Sequence, residues 1–218
     1  MENKTIPIAA DFFCDGHYYL LTSSSLGGSS LTSAEIATVV GSGDSEGIQN
    51  LLNSGIAIPL FFEGDCALDN NTLFVMGDLT EWQETDWIAK IECKLNIPCG
   101  KFVILCGGGD PDELEDAISL KPSQPNYKIS QVIDVPKGEY IVEILAYYSS
   151  MTVQLSLDEY DSNFNMQENV ELKDWYQKNR PGVQNVGYII RFSPLNRQVN
   201  LPTLDDETGW VGVFEFRD

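Results

Sequence analysis

Two glycine-rich segments have the residue types that bind phosphate groups. The first, Gly41-Ser42-Gly43 with Gly47, precedes the helix candidate Ile48–Leu52. Glu63 and Asp65 lie about twenty residues further on, where a dinucleotide site places its ribose-binding acid. The glycine spacing is one residue longer than that fingerprint, and no repeated βαβ units follow. We therefore interpret this segment as a loop and helix cap.

The second glycine-rich segment is Gly107-Gly108-Gly109, followed by Asp110-Pro111-Asp112-Glu113. It lacks the Lys-Ser/Thr ending of a phosphate-binding P-loop. An aspartate before a proline, with further acids directly after it, is typical of the start of a helix. The pattern predicts a short helix over Pro111–Ile118 with Asp110 as its N-cap.

A third segment resembles the opening of a calcium loop. Asp161, Asn163 and Asn165 occupy the first three ligand positions, but Met166 replaces the required glycine and Leu172 replaces the bidentate glutamate. This excludes an EF-hand. An irregular calcium site built from loop carboxylates stays open.

Few residues of this sequence could support nucleophilic catalysis. His17 is the only histidine, and a structural hydrogen-bonding role is expected for it. The five cysteines are an odd number without CxxC spacing, which favours reduced thiols over a disulfide framework or structural zinc. A glycosidase needs only two carboxylates, but no pair stands out among so many. The sequence predicts a protein that is not an enzyme and holds no cofactor or metal.

The charge balance is the strongest indicator of partners. Thirteen basic and 33 acidic residues give a formal net charge of −20. Such a surface repels nucleic acid and anionic lipid and attracts basic proteins. Met1–Pro7 has neither the basic nor the apolar region of a secretory signal, and no stretch is apolar enough for a membrane span. The predicted location is cytoplasmic, with no indication of oligomeric state.

Frequent short apolar runs between Gly and Pro residues predict a mainly β protein. From Ile88 to Leu95 apolar and charged residues alternate, as in a strand with one solvated face. Asp44 or Ser45 is the expected N-cap of the helix over Ile48–Leu52, with Gly55 as its stop. The expected fold is an antiparallel β-sandwich with a few short helices. We expect one compact domain over residues 1–218, with an α+β part (1–87) and a β-sandwich part (88–218).

A short motif occurs twice. Ile97-Pro98-Cys99-Gly100 and Val135-Pro136-Lys137-Gly138 each precede one residue, an aromatic and two β-branched residues. The Pro-x-Gly pattern suits a type II turn that leads into a strand. The repetition indicates either two similar hairpins or the simple recurrence of a common turn.

The strand motifs Val135–Ile144 and Gly187–Phe192 resemble the competence protein J family of small bacterial β-sandwich proteins. The resemblance covers about residues 88–192. The family for which it is named inhibits a DNA-entry nuclease, so the resemblance implies an inhibitor or immunity protein. It transfers no functional residue.

Charge and resemblance together predict a bacterial protein of immunity or inhibitor type that blocks a basic nuclease or toxin. The alternative is a β-sandwich module that binds calcium or carbohydrate. Two tryptophans in an acidic segment could anchor a partner or support a sugar, although packing in the core explains such residues equally well. The predicted partner-binding residues are Asp78, Glu81, Trp82, Glu84, Asp86 and Trp87.

Overall fold

The described part of the protein, in a computed structural model, covers residues 3–69, 71–121, 128–157 and 186–217, with residues 159, 160, 166, 167, 174 and 178 between the last two ranges. Its strands are β1 (Lys4–Pro7), β2 (Tyr18–Ser23), β3 (Ala57–Phe61), β4 (Thr72–Met76), β5 (Ala89–Ile97), β6 (Lys101–Cys106), β7 (Ser130–Asp134), β8 (Gly138–Ala146), β9 (Glu159–Tyr160), β10 (Met166–Gln167), β11 (Tyr188–Pro194) and β12 (Glu215–Phe216). Its helices are α1 (Ser33–Ser42), α2 (Ser45–Asn53), α3 (Glu81–Thr85), α4 (Pro111–Ile118) and α5 (Met151–Leu157), with one 3₁₀ turn at Leu26–Gly28.

The strands form two larger sheets and one short pair. The six-stranded sheet has the order β1-β4-β11-β8-β5-β12, and the four-stranded sheet has the order β3-β2-β6-β7. The pair is β9 with β10. All pairings are antiparallel except that of β4 with β11, which is parallel. The prediction of a mainly β protein with a few short helices is confirmed, but the larger sheet is mixed rather than antiparallel throughout.

The alternation predicted around Ile88–Leu95 is confirmed in β5. Its burial alternates along all nine residues, with Ala89, Ile91, Cys93 and Leu95 facing the core. β5 pairs with β8 over its whole length, from Ala89 opposite Ala146 to Ile97 opposite Gly138. This register is the longest among the described strand pairs, and it joins β5, next to the edge strand β12, to β8 in the middle of the sheet.

The two Pro-x-Gly turns connect the sheets to each other. One turn leads from β5 in the six-stranded sheet to β6 in the four-stranded sheet, and the other leads from β7 back to β8. The interpretation as two hairpins is therefore wrong, because neither turn joins two paired strands. The turns lie side by side, with the Val135 N–H donating to the carbonyl of Gly100 at 3.1 Å. Gly100 has a φ of +79°, which requires glycine there.

The two sheets share one apolar core. Phe102 of β6 contacts the six-stranded sheet through Phe192 of β11, at 4.8 Å between ring centroids, and through Phe74 of β4, at 5.8 Å. All three side chains are fully buried. The same core cluster contains residues from both predicted parts of the chain, 1–87 and 88–218.

The predicted helices form where capping indicated them. α4 begins at Pro111, and the carboxylate of Asp110 accepts from the N–H groups of Asp112 and Glu113 at 2.8 and 3.1 Å. α2 has Asp44 at its N-cap, and Gly55 follows its end with a φ of +63°. Both helices agree with the sequence prediction.

The prediction of reduced thiols is wrong for one pair of cysteines. Cys14 and Cys106 form a disulfide with 5.1 Å between their Cα atoms. Cys106 ends β6 and lies opposite Tyr19 of β2, which begins four residues after Cys14, so the pairing of these strands brings the two cysteines close together. Cys66, Cys93 and Cys99 are free. Within the described residues, no helix combines the length and the apolar character that crossing a bilayer demands.

The shared core gives a first prediction. Phe102→Ala should lower the free energy of unfolding by about 3–5 kcal/mol, because it removes contacts with both sheets and leaves a cavity. Phe216→Ala is the matched control, since Phe216 is 49% exposed and should change stability by about 0.5 kcal/mol or less. Urea denaturation of both variants measures the difference. Similar losses in the two variants would contradict a core shared by the sheets.

Candidate functional site

The acidic segment predicted to bind a partner lies around α3, beside the outer face of the six-stranded sheet. Its residues differ widely in exposure. Asp78, Glu81 and Glu84 are exposed, whereas Asp86 is only 8% exposed. The two tryptophans, Trp82 and Trp87, are half-buried.

Trp82 packs on the sheet and is part of a second apolar cluster. Its ring lies 5.8 Å from that of Tyr147, whose hydroxyl donates to the carbonyl of Gln83 at 2.6 Å. The fully packed members of this cluster are Val75, Leu145, Tyr147 and Ile189. Trp82 therefore holds α3 on the sheet, as the packing interpretation of the tryptophans expected.

Trp87 is covered by a cation of the same chain. The guanidinium of Arg217 lies 3.7 Å from the ring centroid, and Lys90 Nζ lies 5.5 Å from it. Arg217 also donates to the carbonyls of Thr85 and Glu84 at 2.6 and 3.0 Å, at the end of α3. One face of Trp87 is thus occupied within the protein.

Basic side chains concentrate beside this segment. Arg191 lies between Glu143 at 3.0 Å and Glu84 at 3.9 Å, and it donates to the carbonyl of Gly77 at 3.1 Å. Arg197 pairs with Glu92 on the same sheet. The segment predicted from the sequence is therefore acidic but close to several of the chain's cations.

A larger acidic surface, which we call the helical acidic face, is formed by α1, α2, α4 and the turn at residues 205–208. None of these four segments contains a lysine or arginine, and Lys121, which follows α4, pairs with Asp116. The four segments are in contact: the Ser33 hydroxyl of α1 donates to Glu115 of α4 at 2.8 Å, and Gly43 approaches the carbonyl of Thr208. The exposed carboxylates of the face are Glu35, Asp44, Glu46, Asp110, Asp112, Glu113, Glu115, Asp116, Asp206 and Glu207.

Local hydrogen bonds keep two of these carboxylates charged. The backbone N–H and hydroxyl of Thr32 lower the pKa of Glu35, and the hydroxyls of Ser33 and Ser119 lower that of Glu115. Burial and, after it, the charge of Asp110 raise the pKa of Glu113. Sequence analysis missed this face because its carboxylates are spread from residue 35 to residue 207. The N-cap residues were the only local feature of the sequence that indicated this face.

Both glycine-rich segments line one cavity of the helical acidic face, between the end of α1, the loop before α4 and Thr208. The cavity measures about 360 Å³ and is lined by Tyr18, Val40, Gly41, Ser42, Gly43, Gly107, Gly109, Thr208 and Trp210. Gly41–Gly43 ends α1, and Gly43 is its left-handed C-cap with a φ of +64°. A dinucleotide fingerprint instead joins a strand to a helix N-terminus. The interpretation as loop and helix cap is confirmed.

The remaining candidates give no catalytic arrangement. His17 Nδ1 lies 3.0 Å from the carbonyl of Phe62, and Nε2 lies 3.1 Å from a carboxylate oxygen of Asp65, which is a structural position. Among the residues that the structure describes, no three His, Cys, Asp or Glu side chains are grouped to hold a metal ion. Asp161, Asn163, Asn165 and Leu172 of the calcium-loop hypothesis lie outside the described residues.

A second cavity, of about 740 Å³, is basic. Lys4, Lys101 and Lys137 line it together with Asp134 and Cys99. Burial opposes the thiolate of Cys99, but hydrogen bonds from Ser24, Ser25 and the Lys101 N–H outweigh burial and lower its pKa to about 7.

Comparison with known proteins finds two similar solved structures and no matching family. No protein-family model and no curated protein matches the chain. Crocagin biosynthetic gene J has a TM-score of 0.41 and 14% identity, over 89% of this chain and 96% of that one. ComJ from Bacillus subtilis, an inhibitor of the DNA degrading activity of NucA, has a TM-score of 0.37 and 10% identity, over 89% of this chain and 96% of that one. The second structure belongs to the family that the strand motifs resemble. Since both TM-scores are below 0.5, we draw no conclusion about fold or function from them.

The lowered pKa of Cys99 is testable by alkylation. The rate of its reaction with iodoacetamide should rise with pH and reach half of its maximum near pH 7, because the thiolate is the nucleophile. Cys66 is the internal control, since burial and then the charge of Asp69 raise its pKa. Mass spectrometry of peptides gives both profiles. A midpoint for Cys99 at or above that of Cys66 would show that these hydrogen bonds do not stabilise the thiolate.

Proposed function

We propose that this protein is a non-enzymatic, acidic binding protein of inhibitor type that blocks a basic protein such as a nuclease or toxin. The observation that carries the proposal is the asymmetry of charge. The helical acidic face has no basic residue in its four segments, whereas Arg191, Arg197, Arg217 and Lys90 lie on the six-stranded sheet or beside it.

This asymmetry creates the kind of field that guides a cationic partner. Charges separated by more than about 8 Å are largely screened at physiological salt, so dispersed carboxylates act weakly. Carboxylates on contacting helices act together, and such fields raise association rates by about 10- to 1000-fold at low salt. A nuclease has to present a basic surface to phosphate, and that surface is what the face would cover.

For the segment around α3 we propose a secondary role. Its exposed carboxylates, Asp78, Glu81 and Glu84, would extend the contact with the partner. Trp82, Trp87 and Asp86 would act mainly by keeping α3 in place, since the first two pack within the chain and the third is buried.

We further propose that residues 1–218 form one domain with the two sheets as the layers of a β-sandwich. The contacts of Phe102 with Phe74 and Phe192, and the core cluster common to both parts of the chain, support this arrangement. The two connecting turns would then lie along one end of the sandwich.

Two charge-reversal variants test the proposed function. Glu46→Lys with Asp112→Lys alters the helical acidic face, and Glu81→Lys with Glu84→Lys alters the segment around α3. Both pairs change the net charge equally. Stopped-flow association with a fluorescent deca-arginine peptide, over a range of ionic strength, measures the field of each surface.

We expect the first pair to slow association about tenfold at low salt and to weaken its salt dependence, and the second pair to have a smaller effect. Partners captured at low salt from the native lysate should be basic, should lose binding to the first variant, and should lose their activity when wild-type protein is added. Wild-type association that does not depend on salt would refute the proposal.

We also propose a cytoplasmic location, and the redox state of Cys14 and Cys106, which form a disulfide in the structure, tests it. Cytosolic thiols are kept reduced, so this pair should be reduced in the cell. Alkylation of thiols during lysis, followed by mass spectrometry, should find both cysteines blocked. A disulfide that survives trapping would indicate an oxidising compartment instead.

A further inference from the structure

We propose that the cavity of the helical acidic face binds the side chain of an arginine residue of the partner protein. The inference rests on the proposed function, because it names the partner residue that would anchor the complex. It uses the two glycine-rich segments, to which the proposed function assigns no binding role.

The shape of the cavity suits a long, flat side chain. Its volume is about 360 Å³, and part of its wall is bare backbone. A β-carbon built on Gly41 would lie 3.5 Å from the Cα of Gly109, so α1 and the loop before α4 approach closely. Glycines at such contacts let a ligand reach backbone carbonyl groups.

The aromatic lining is suited to a planar cation. Tyr18 and Trp210 have ring centroids 4.7 Å apart. The indole N–H of Trp210 donates to the carbonyl of Val40 at 3.1 Å, which fixes the ring against the end of α1. Guanidinium groups stack on aromatic faces and are less strongly hydrated than ammonium groups, so arginine is favoured over lysine.

The electrostatics of the cavity favour positive charge. The cavity lies at the C-terminal end of the ten-residue helix α1, the negative end of its dipole. Asp44 and Asp110 directly follow the lining residues Gly43 and Gly109; they are the N-cap residues of α2 and α4, and their charges offset the positive ends of those two helix dipoles. A carboxylate oxygen of Glu113 would lie 3.9 Å from a β-carbon on Gly107. None of the described lining residues is charged, so no cation from the part of the chain that the structure describes lines the space.

The same features argue against a phosphate ligand. A phosphate group binds at helix N-termini whose N–H groups are free, whereas α1 contributes its C-terminal residues to this cavity and the first N–H groups of α4 already donate to Asp110. The neighbouring carboxylates would repel a phosphate further. A cationic group is therefore the ligand class that the cavity supports.

The direct test uses N-acetyl-arginine amide as the probe and the full-length protein. Titration is followed by the NMR signal of the Trp210 indole N–H. We expect a saturable shift of that signal with the arginine amide. N-acetyl-citrulline amide, which has the same shape without the charge, should give no saturable shift. Equal shifts from the two compounds, or none from either, would overturn the inference.

Variants show whether the cavity itself is the site. Gly41→Leu should weaken binding of the arginine amide at least tenfold, because the new side chain fills the space while its β-carbon makes only ordinary contacts. Ala34→Leu is the matched control, since it adds the same side chain at an exposed position of α1 outside the cavity. Unchanged binding in Gly41→Leu would overturn the inference.

A second variant covers the case in which Gly41→Leu does not fold. Asp44→Asn removes one charge next to the cavity and keeps a good N-cap residue, and the Asp44 side chain makes no capping hydrogen bond. It should weaken binding of the arginine amide severalfold. Equal affinity in this variant and the wild type would count against the cavity.

The two proposals can fail separately. If deca-arginine associates in a salt-dependent manner but the arginine amide does not bind, the cavity assignment is wrong and the proposed function stands. If neither probe binds, both proposals are wrong.

Discussion

The pairing of β5 with β8 holds the architecture together. Nine residues of each strand are in register, and both strands continue through a Pro-x-Gly turn into the four-stranded sheet. Because the turns leave and return side by side, the two sheets are linked twice at the same place. The aromatic contacts of Phe102 can form only if these links hold the sheets at the observed separation.

The distribution of charge follows from this arrangement. On the outer face of the six-stranded sheet, Arg191 lies opposite Glu143 and pairs with it, and Glu92 pairs with Arg197, so these charges compensate one another. Among the described residues of α1, α2 and α4, only Asp116 has such a partner, Lys121. Their acids are retained at N-caps and first turns, where helix dipoles favour negative charge. Surplus carboxylates therefore collect where α1, α2 and α4 meet.

Sequence reasoning succeeded where the determinants are local. The alternation of β5, the start of α4 at Pro111 and the cap at Asp44 were all predictable from neighbouring residues. It failed where the outcome depends on residues that are distant in the chain. The Cys14–Cys106 bond and the linking role of the Pro-x-Gly turns both follow from strand pairing, which no local pattern encodes.

The candidate site shows the same difference between what local residues predict and what only the fold determines. The segment around α3 stood out because its acids and tryptophans are consecutive, yet its tryptophans pack on Tyr147 and Arg217. The helical acidic face comes from four separate segments, and only the fold brings them together. Each glycine-rich segment could be interpreted from its own residues as a helix cap. No local pattern predicted that both segments line one cavity.

The contact between Gly41 and Gly109 has an evolutionary consequence. Because bare backbone sets the spacing of α1 and the loop before α4, that spacing is independent of the side chains exposed on either element. Residues such as Glu46, Asp112 and Glu207 can therefore be exchanged without reshaping the scaffold. Related proteins could therefore vary their exposed residues by surface substitution alone, while a side chain at Gly109, whose β-carbon would lie 3.3 Å from the Cα of Gly41, would push the two elements apart.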